Sequence, residues 1–473
     1  MSRTLRGILF SIAIFGGSFI DAQDSRPNVL FIAVDDLRPQ LACYGQSFMH
    51  SPNIDRLATQ GVLFERAYCM VPTCGASRAA LMTSVRPAPK RFVNHLAWAE
   101  QDAPDAVPLH THFNRHGYKT ISLGKVFHHK QDHADGWTEP AWRSSKPGYQ
   151  LKQATAEAIE LNKSTWPNKN KHNGPAYESA DAEEKDYPDG DCAARAVGYL
   201  EQFAKASGEP FFLAVGFLKP HLPFNAPKKY WDLYDHEAID LPDNYWPPKN
   251  APEGAVHNSG ELRAYAGIPP TGPVDRDTAR NLIHGYYACV SFTDAQIGKL
   301  LNAVDRLGLK ENTIIVLWGD HGWQLGEHGM WNKHSCFETS MHAPLIISAP
   351  HSEGILPGSR VGGLVEFIDI YPTLCELSGL ELPVHLQGSS LVTQMRDPQS
   401  AGKAFAIGRF GSGDTIRSNN SRYSEYRTAK GELLGQMLYD HQVDADENNN
   451  VAGERQEIVQ ELAGELATRK GKN

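Results

Sequence analysis

The chain has few cysteines. Seven thiols, Cys43, Cys69, Cys74, Cys192, Cys289, Cys336 and Cys375, are spread over 473 residues. Seven is odd, so they cannot all pair with one another, and at least one has another role. There is no Cys-x-x-Cys pair, and the Cys69–Cys74 spacing is not that of a zinc ribbon. Cationic excess is also missing. A net charge of −9 without a basic stripe argues against a nucleic-acid binder. The whole-protein field would also oppose an anionic substrate, so a polyanion would need a local cluster of Lys, Arg and His. Beyond the first two dozen residues, no segment approaches the roughly 20 apolar residues of a membrane span. No internal repeat is visible.

The N-terminus reads as an export signal, with a short uncleaved membrane anchor as the alternative. Two arginines within Met1–Arg6 precede an apolar run from Gly7 to Ile20, and Asp21-Ala22-Gln23 offers a cleavage region. No cysteine stands at that point, which argues against a lipoprotein anchor. A signal peptide over 1–23 predicts a periplasmic or secreted protein with no stable membrane insertion once the signal is cleaved. The remaining chain of about 450 residues, 41% hydrophobic overall, is long enough for one large α/β domain and a smaller one.

Four continuous apolar runs read as strands buried on both faces: Asn28–Val34, Tyr118–Leu123, Phe211–Gly216 and Thr313–Trp318. Helical patterns at Ile54–Gly61, Ala193–Ala206 and Asn281–Leu307 alternate with them, which predicts a doubly wound, mostly parallel sheet flanked by helices. In such sheets ligands bind beyond the carboxyl ends of the strands. Asp35, Asp36, Lys125, His128, His221, Asp320 and His321 all follow strand ends, so separate segments deliver polar residues to one rim. Residues 140–190 are polar and read as a long surface loop or lid, and 240–275, rich in Pro and Gly, as another excursion. A small C-terminal α+β subdomain is expected over 395–473, after a main domain over 24–394. It would hold short strands at Phe405–Gly408 and Tyr423–Arg427. A last helix would present Ile458, Val459, Leu462 and Leu466 on one face.

Cys74 opens Cys74-Gly75-Ala76-Ser77-Arg78, just before a helix-like run. A thiol at a helix start, with an arginine four residues on, is expected in positive potential that favours a reactive thiolate or a bound anion. The competing reading is a buried structural thiol. Asp35, Asp36 and Asp320, brought to the same rim, would repel one another unless a cation neutralised them. Such an oxygen-rich set suits calcium or magnesium rather than zinc. Read singly, Asp35-Asp36 is equally a helix cap or turn, and Asp320-His321-Gly322 a polar turn. Trp323 stacks on a sugar face or packs in the core. His129 and His133 read as surface residues.

Together these stretches resemble the type I, formylglycine-dependent sulfatases, and among them the iduronate-2-sulfatase-like branch. The resemblance rests on Asn28–Tyr44, Ser51–Asp55, Cys74–Pro87, Leu123–His128, Phe211–Phe224, Tyr287–Leu300 and Gly319–Lys333, with Leu438–Asp440 and Asn448–Val451 at the end. It is weakest in 140–190, 225–280 and 395–435. It implies an alkaline-phosphatase-like fold and a sulfatase that hydrolyses sulfate esters of a sulfated sugar, from glycosaminoglycan or another sulfated polysaccharide. It implies that a maturation enzyme converts Cys74 to formylglycine. By resemblance Asp35, Asp36, Asp320, His321 and the modified Cys74 hold one divalent cation, Ca2+. Arg78 orients the nucleophile, and Lys125 and Lys333 neutralise sulfate oxygens. His221 is the acid for the leaving alcohol, and His128 assists sulfate release. The chain departs from the usual pattern at Ala76, where proline is commoner, and at Ser84-Val85, where Gly-Arg is usual. Two other readings remain: a phosphomonoesterase or phosphodiesterase of the same superfamily, which would use Ser or Thr and two metals, and an inactive carbohydrate-binding relative.

Overall fold

A computed structural model describes residues 26–165, 173–206 and 208–470. The expected signal peptide, 1–23, lies outside them. The centre is a seven-stranded sheet. Its spatial order is Arg360–Glu366, Val62–Tyr68, Leu345–Ser348, Thr313–Gly319, Asn28–Val34, Phe211–Phe217, Lys119–Gly124. Every neighbouring pair is parallel except the two that involve Leu345–Ser348, which runs antiparallel to both its neighbours.

The Asn28–Val34 strand shows why its sequence is an unbroken apolar run. Val29, Phe31 and Ala33 pack into the core on one face, with the Cys74–Thr83 and Ile370–Leu377 helices. Leu30, Ile32 and Val34 pack into the other, under the Pro52–Gln60, Pro188–Lys205 and Arg276–Arg306 helices. A strand has a period of two, so burial on both faces requires apolar residues at every position.

The Pro188–Lys205 helix begins five residues before the expected start, with Pro188 in its first turn and Asp189 and Asp191 beside it, a proline-and-acid start that hydrophobic spacing does not reveal. Asp275 caps the Arg276–Arg306 helix through its side chain. Outside 166–172, the stretch 140–190 is not the irregular loop expected from its polarity. It carries the Lys152–Thr165 helix and the Tyr177–Ala180 strand, which pairs in parallel with Phe224–Pro227. That helix buries only Thr155 and Asn162, so it has no apolar stripe to read; its Ala, Glu, Gln, Leu and Lys content favours helix on propensity alone.

Toward the C-terminus, Ala406–Phe410, Gly413–Arg417, Ser421–Arg427 and Leu433–Asp440 form an antiparallel sheet. The Gln456–Lys470 helix inserts Val459, Leu462 and Leu466 into the same core that packs on the Cys74–Thr83 helix, and Ile458 is partly buried against it. No helix among the described residues is long and apolar enough to cross a membrane.

Candidate active site

Asp35 and Asp36 follow the Asn28–Val34 strand, and Asp320 and His321 follow its parallel neighbour Thr313–Gly319. The ladder runs on into these residues: Asp320 N–H donates to Val34 O and Asp35 N–H to Phe217 O, each at 3.1 Å. Asp36 then turns to φ 61°, a left-handed conformation that Asp tolerates better than most residues, and its N–H donates to Asp320 Oδ1 at 2.9 Å. Three carboxylates with essentially no solvent exposure thus meet at one point.

Arg78 ties them together. Its Nη2 donates to Asp35 Oδ1 at 3.0 Å, its Nε to Asp320 Oδ2 at 2.9 Å, and its Nη1 to the carbonyls of Lys125 and Val126. Lys125 Nζ pairs with the other oxygen of Asp35. Burial opposes the charge on Asp35, but Lys125 and Arg78 outweigh it and hold this carboxyl well below the usual range. Asp36 goes the other way. Burial raises it, and the pull of His221 and Lys333 does not compensate.

Cys74 is the first residue of the Cys74–Thr83 helix, in which every residue is buried. Its Sγ lies 3.4 Å from His321 Nε2 and 4.0 Å from Asp36 Oδ1. The positive potential expected there does not prevail. Burial first, then the Asp35 carboxylate, push the thiol up to about 11, so the unmodified side chain is no thiolate. Gly75 answers a close approach: a Cβ there would stand 2.2 Å from the His95 carbonyl oxygen. Ser84, at the position where glycine is usual, ends the helix at φ 52°. It is held there by donating Oγ to Ile368 O at 2.7 Å and accepting from Gly388 N at 3.1 Å. The left-handed backbone accounts for the glycine, and these bonds offset the roughly 1–2 kcal/mol that a side chain costs in that region.

The donor set fits a hard cation. His321 Nδ1 donates to Gly322 O at 2.9 Å, which turns the lone pair of Nε2 toward Asp36 Oδ1 at 3.4 Å and Asp320 Oδ1 at 3.5 Å. Lone pairs that face one another at this range call for a positive charge between them. The ligand atoms of Asp35, Asp36, Cys74 and His221 all lie within 4.8 Å of one another, as do those of Cys74, Asp320 and His321. All five expected metal ligands are therefore in one place.

Lys333 follows the short Trp331–Asn332 strand and reaches both oxygens of Asp36 at 3.0 Å. His221 Nε2 stands 3.8 Å from Asp36 Oδ2, and Nδ1 bonds Leu222 O at 2.6 Å. Burial disfavours its charge, yet Asp36 and Asp35 lift this imidazole to about 10. Lys219 Nζ holds its loop from behind, donating to the carbonyls of His221 at 2.8 Å and Pro223 at 2.5 Å. A cavity of about 210 Å3 borders this side, with Lys125, Tyr187, Lys219 and His221 in its wall.

His128 does not join the metal-ligand groups. Its ring packs edge-on to His95 and His129, its Nδ1 has no partner, and burial with Lys125 nearby lowers it to about 3. His129 stacks on Trp98 at 4.2 Å, and both it and His133 are partly buried. Trp323 is fully buried beside Phe224 and Tyr286, with Lys333 Nζ 4.7 Å from its ring centroid, so of its two readings core packing is the one observed. One site residue escaped the sequence reading. Glu261, in the Pro- and Gly-rich excursion, lies 3.0 Å from both Lys333 Nζ and His221 Nε2. A lone acid in an aperiodic stretch carries no signal of that placement.

A model of the sulfatase family matches residues 27–380, and the chain belongs to that family. It is similar to human iduronate 2-sulfatase, 34% identical over 424 residues that span 80% of this chain and 76% of the relative. It is also similar to a sulfatase of Formosa agariphila, 33% identical, spanning 92% of this chain and 84% of the relative. Among solved structures, a 2-O glycosaminoglycan sulfatase superposes with a TM-score of 0.72 at 22% identity, covering 94% of this chain and 93% of that one. A phosphonate monoester hydrolase of Agrobacterium radiobacter shares the fold with a TM-score of 0.74 at 22% identity, covering 94% and 96%. The chain is a sulfuric ester hydrolase on the alkaline-phosphatase-like fold.

Proposed function

We propose that this sulfatase removes sulfate from a sugar of a glycosaminoglycan or other sulfated polysaccharide, outside the cytoplasm, after a maturation enzyme converts Cys74 to formylglycine. The observation that carries the proposal is the setting of Cys74. It stands at the N-terminus of a buried helix, beside His321 and Asp36, where three carboxylates meet three fixed cations, Arg78, Lys125 and Lys333. A hydrated formylglycine offers a hydroxyl that attacks sulfur. Asp35, Asp36, Asp320 and His321 would hold a divalent cation, calcium by the three carboxylates that dominate the set, and when bound it would lower the pKa of that hydroxyl and polarise the sulfate.

The other roles fall to this chain's own side chains. Arg78 makes its bonds to Asp35, Asp320 and two carbonyls, so its part is to fix the carboxylates around residue 74. Lys125 and Lys333 bring positive charge to the two edges of the site and would meet sulfate oxygens there. His221, with Asp36 and Glu261 facing its Nε2, would donate Nε2–H to the departing sugar oxygen. His128, held neutral, would take a proton during sulfate release.

The test pairs mass with turnover. The tryptic peptide containing residue 74 should be lighter than the thiol form by about 18 Da, the difference between CH2SH and CHO. The same preparation should release sulfate from at least one member of a panel of defined sulfated oligosaccharides, and Cys74→Ser should abolish normal turnover. Full activity with an intact thiol would overturn the proposal.

A further inference from the structure

Arg143 is an unmatched cation at the active-site rim. Trp142 adds one parallel rung outside the Lys119–Gly124 edge strand, opposite Leu123. Its N–H donates to Ser122 O at 2.9 Å, and its carbonyl accepts from Gly124 N at 2.8 Å. Arg143 therefore leaves the sheet at the same carboxyl rim as Lys125. Its guanidinium folds over the segment that follows Lys125. Nη2 donates to Phe127 O at 2.7 Å and to His128 O at 2.9 Å.

Arg78, Lys125 and Lys333 each pair with carboxylates of the cluster around residue 74. Arg143 pairs with no carboxylate among the described residues. Asp35 gives one oxygen to Arg78 and the other to Lys125. Acids on the neighbouring segments are engaged elsewhere. Asp132 accepts from the N–H groups of Ala99 and Glu100, Glu139 from Tyr199, and Asp191 from Ser144.

The guanidinium is partly buried. Burial lowers its pKa, the Arg78 charge adds to that, and Asp35 opposes it, so it lies in the field of the cluster. An arginine does not shed its proton to escape such a setting, and an anion beside it would offset the cost. Holding the two carbonyls occupies Nη2 alone. Nη1 makes no bond and is not enclosed, so it is open to a ligand.

We propose that Arg143 binds a second anionic group of the substrate, a carboxylate or sulfate on the same sugar as the scissile sulfate, through Nη1. This inference rests on the proposed function and narrows its substrate class to sugars that carry a further negative charge. It also supplies the local attraction that a chain of net charge −9 needs for an anionic substrate.

The experiment uses matched sugars that share the scissile sulfate. One carries a carboxylate in place of the exocyclic hydroxymethyl, others a second sulfate at each remaining hydroxyl in turn, and one only neutral groups. kcat/KM is measured on the wild type, Arg143→Gln and Arg143→Lys. The wild type should favour one anionic form over the neutral sugar by about tenfold or more, the scale of one charged hydrogen bond. Whether the carboxylate or a sulfate gives that gain names the group. Arg143→Gln should bring the ratio near one. Arg143→Lys, which keeps the charge but not the planar fork, should retain part of it. Equal losses on charged and neutral sugars would make Arg143 a strut for Phe127 and His128, or a contact of the scissile sulfate itself, and would overturn the inference. So would a wild type indifferent to the second anion. Absence of sulfate release from the whole panel would defeat the functional reading itself, and this inference with it.

Discussion

Asp35, Asp36, Asp320 and His321 leave the ends of two paired parallel strands. Glu261 comes from a stretch that, apart from the short Leu262–Ala264 turn, has no helix or paired strand of its own. Both meet the same lysine and the same histidine. The strand-end group is positioned by main-chain ladder bonds, which any side chain at those positions inherits. The excursion is positioned by particular side chains: His257 and Ser259 bond the backbone of Lys333 and Trp331, and Arg263 bonds the excursion's own Asn258 and Gly272 carbonyls. The first kind of support is insensitive to substitution and fits chemistry common to a whole family. The second can be rebuilt loop by loop and fits the choice of substrate.

Substitutions should separate the two sides. The largest effect is expected on the strand-end side. Asp320→Asn replaces one carboxylate oxygen by an amide and takes a negative charge from Arg78 and from the proposed cation. Sulfate release should fall by about 10³-fold, the equivalent of roughly 4 kcal/mol of lost transition-state stabilisation. A variant with near-normal turnover and one bound calcium by elemental analysis would break the division. On the sugar side the effect should depend on the leaving group. His221→Ala should slow hydrolysis of a sulfated sugar by roughly 10²–10⁴-fold, the range of general acid catalysis. It should slow 4-nitrophenyl sulfate far less, because a nitrophenol departs without a proton. Equal losses on both would assign His221 to sulfate binding.

The smallest effect should lie away from both sides. Glu184 accepts from Tyr230 and pairs with Lys229 and Lys299, contacts that hold it at about 2 although burial alone would raise it. A carboxyl depressed in the folded state adds stability above its ordinary range near pH 4, and that contribution is lost as the pH falls through about 2. Glu184→Gln should therefore lower the melting temperature at pH 7 with little change in kcat/KM, and the gap from wild type should close on acidification toward pH 2. A gap that persists there would mean that packing, not charge, is what Glu184 supplies.

How much of this was legible follows from how each part is held. The unbroken apolar runs announced the strands because both faces of the sheet are covered, and the residues after them had to emerge at one rim. Cys74 and Arg78 were legible as a motif. The thiolate expectation failed because helix position and Arg78 count for less than the burial of Cys74 and, after it, the nearness of Asp35, both of which are purely tertiary. The Lys152–Thr165 helix was missed because it buries almost nothing, and Glu261 because its position depends on bonds between residues some 70 apart in the chain. Ser84 is an intermediate case. Its departure from the usual glycine was visible in the sequence, but the hydrogen bonds that make it tolerable were not.

The complete burial of the Cys74–Thr83 helix also sets a clock. Any enzyme that modifies Cys74 must reach it while the chain is still open, and the covering residues are synthesised late. Asp320 and His321 lie about 250 residues further on, which at roughly 5–20 residues per second leaves a window of about 12–50 s during synthesis. After that, access would require unfolding part of the core. On the proposed modification, the fraction of chains carrying a modified residue 74 would depend on a race between chain closure and the modifying enzyme, and slowing elongation should raise it without any change in the protein.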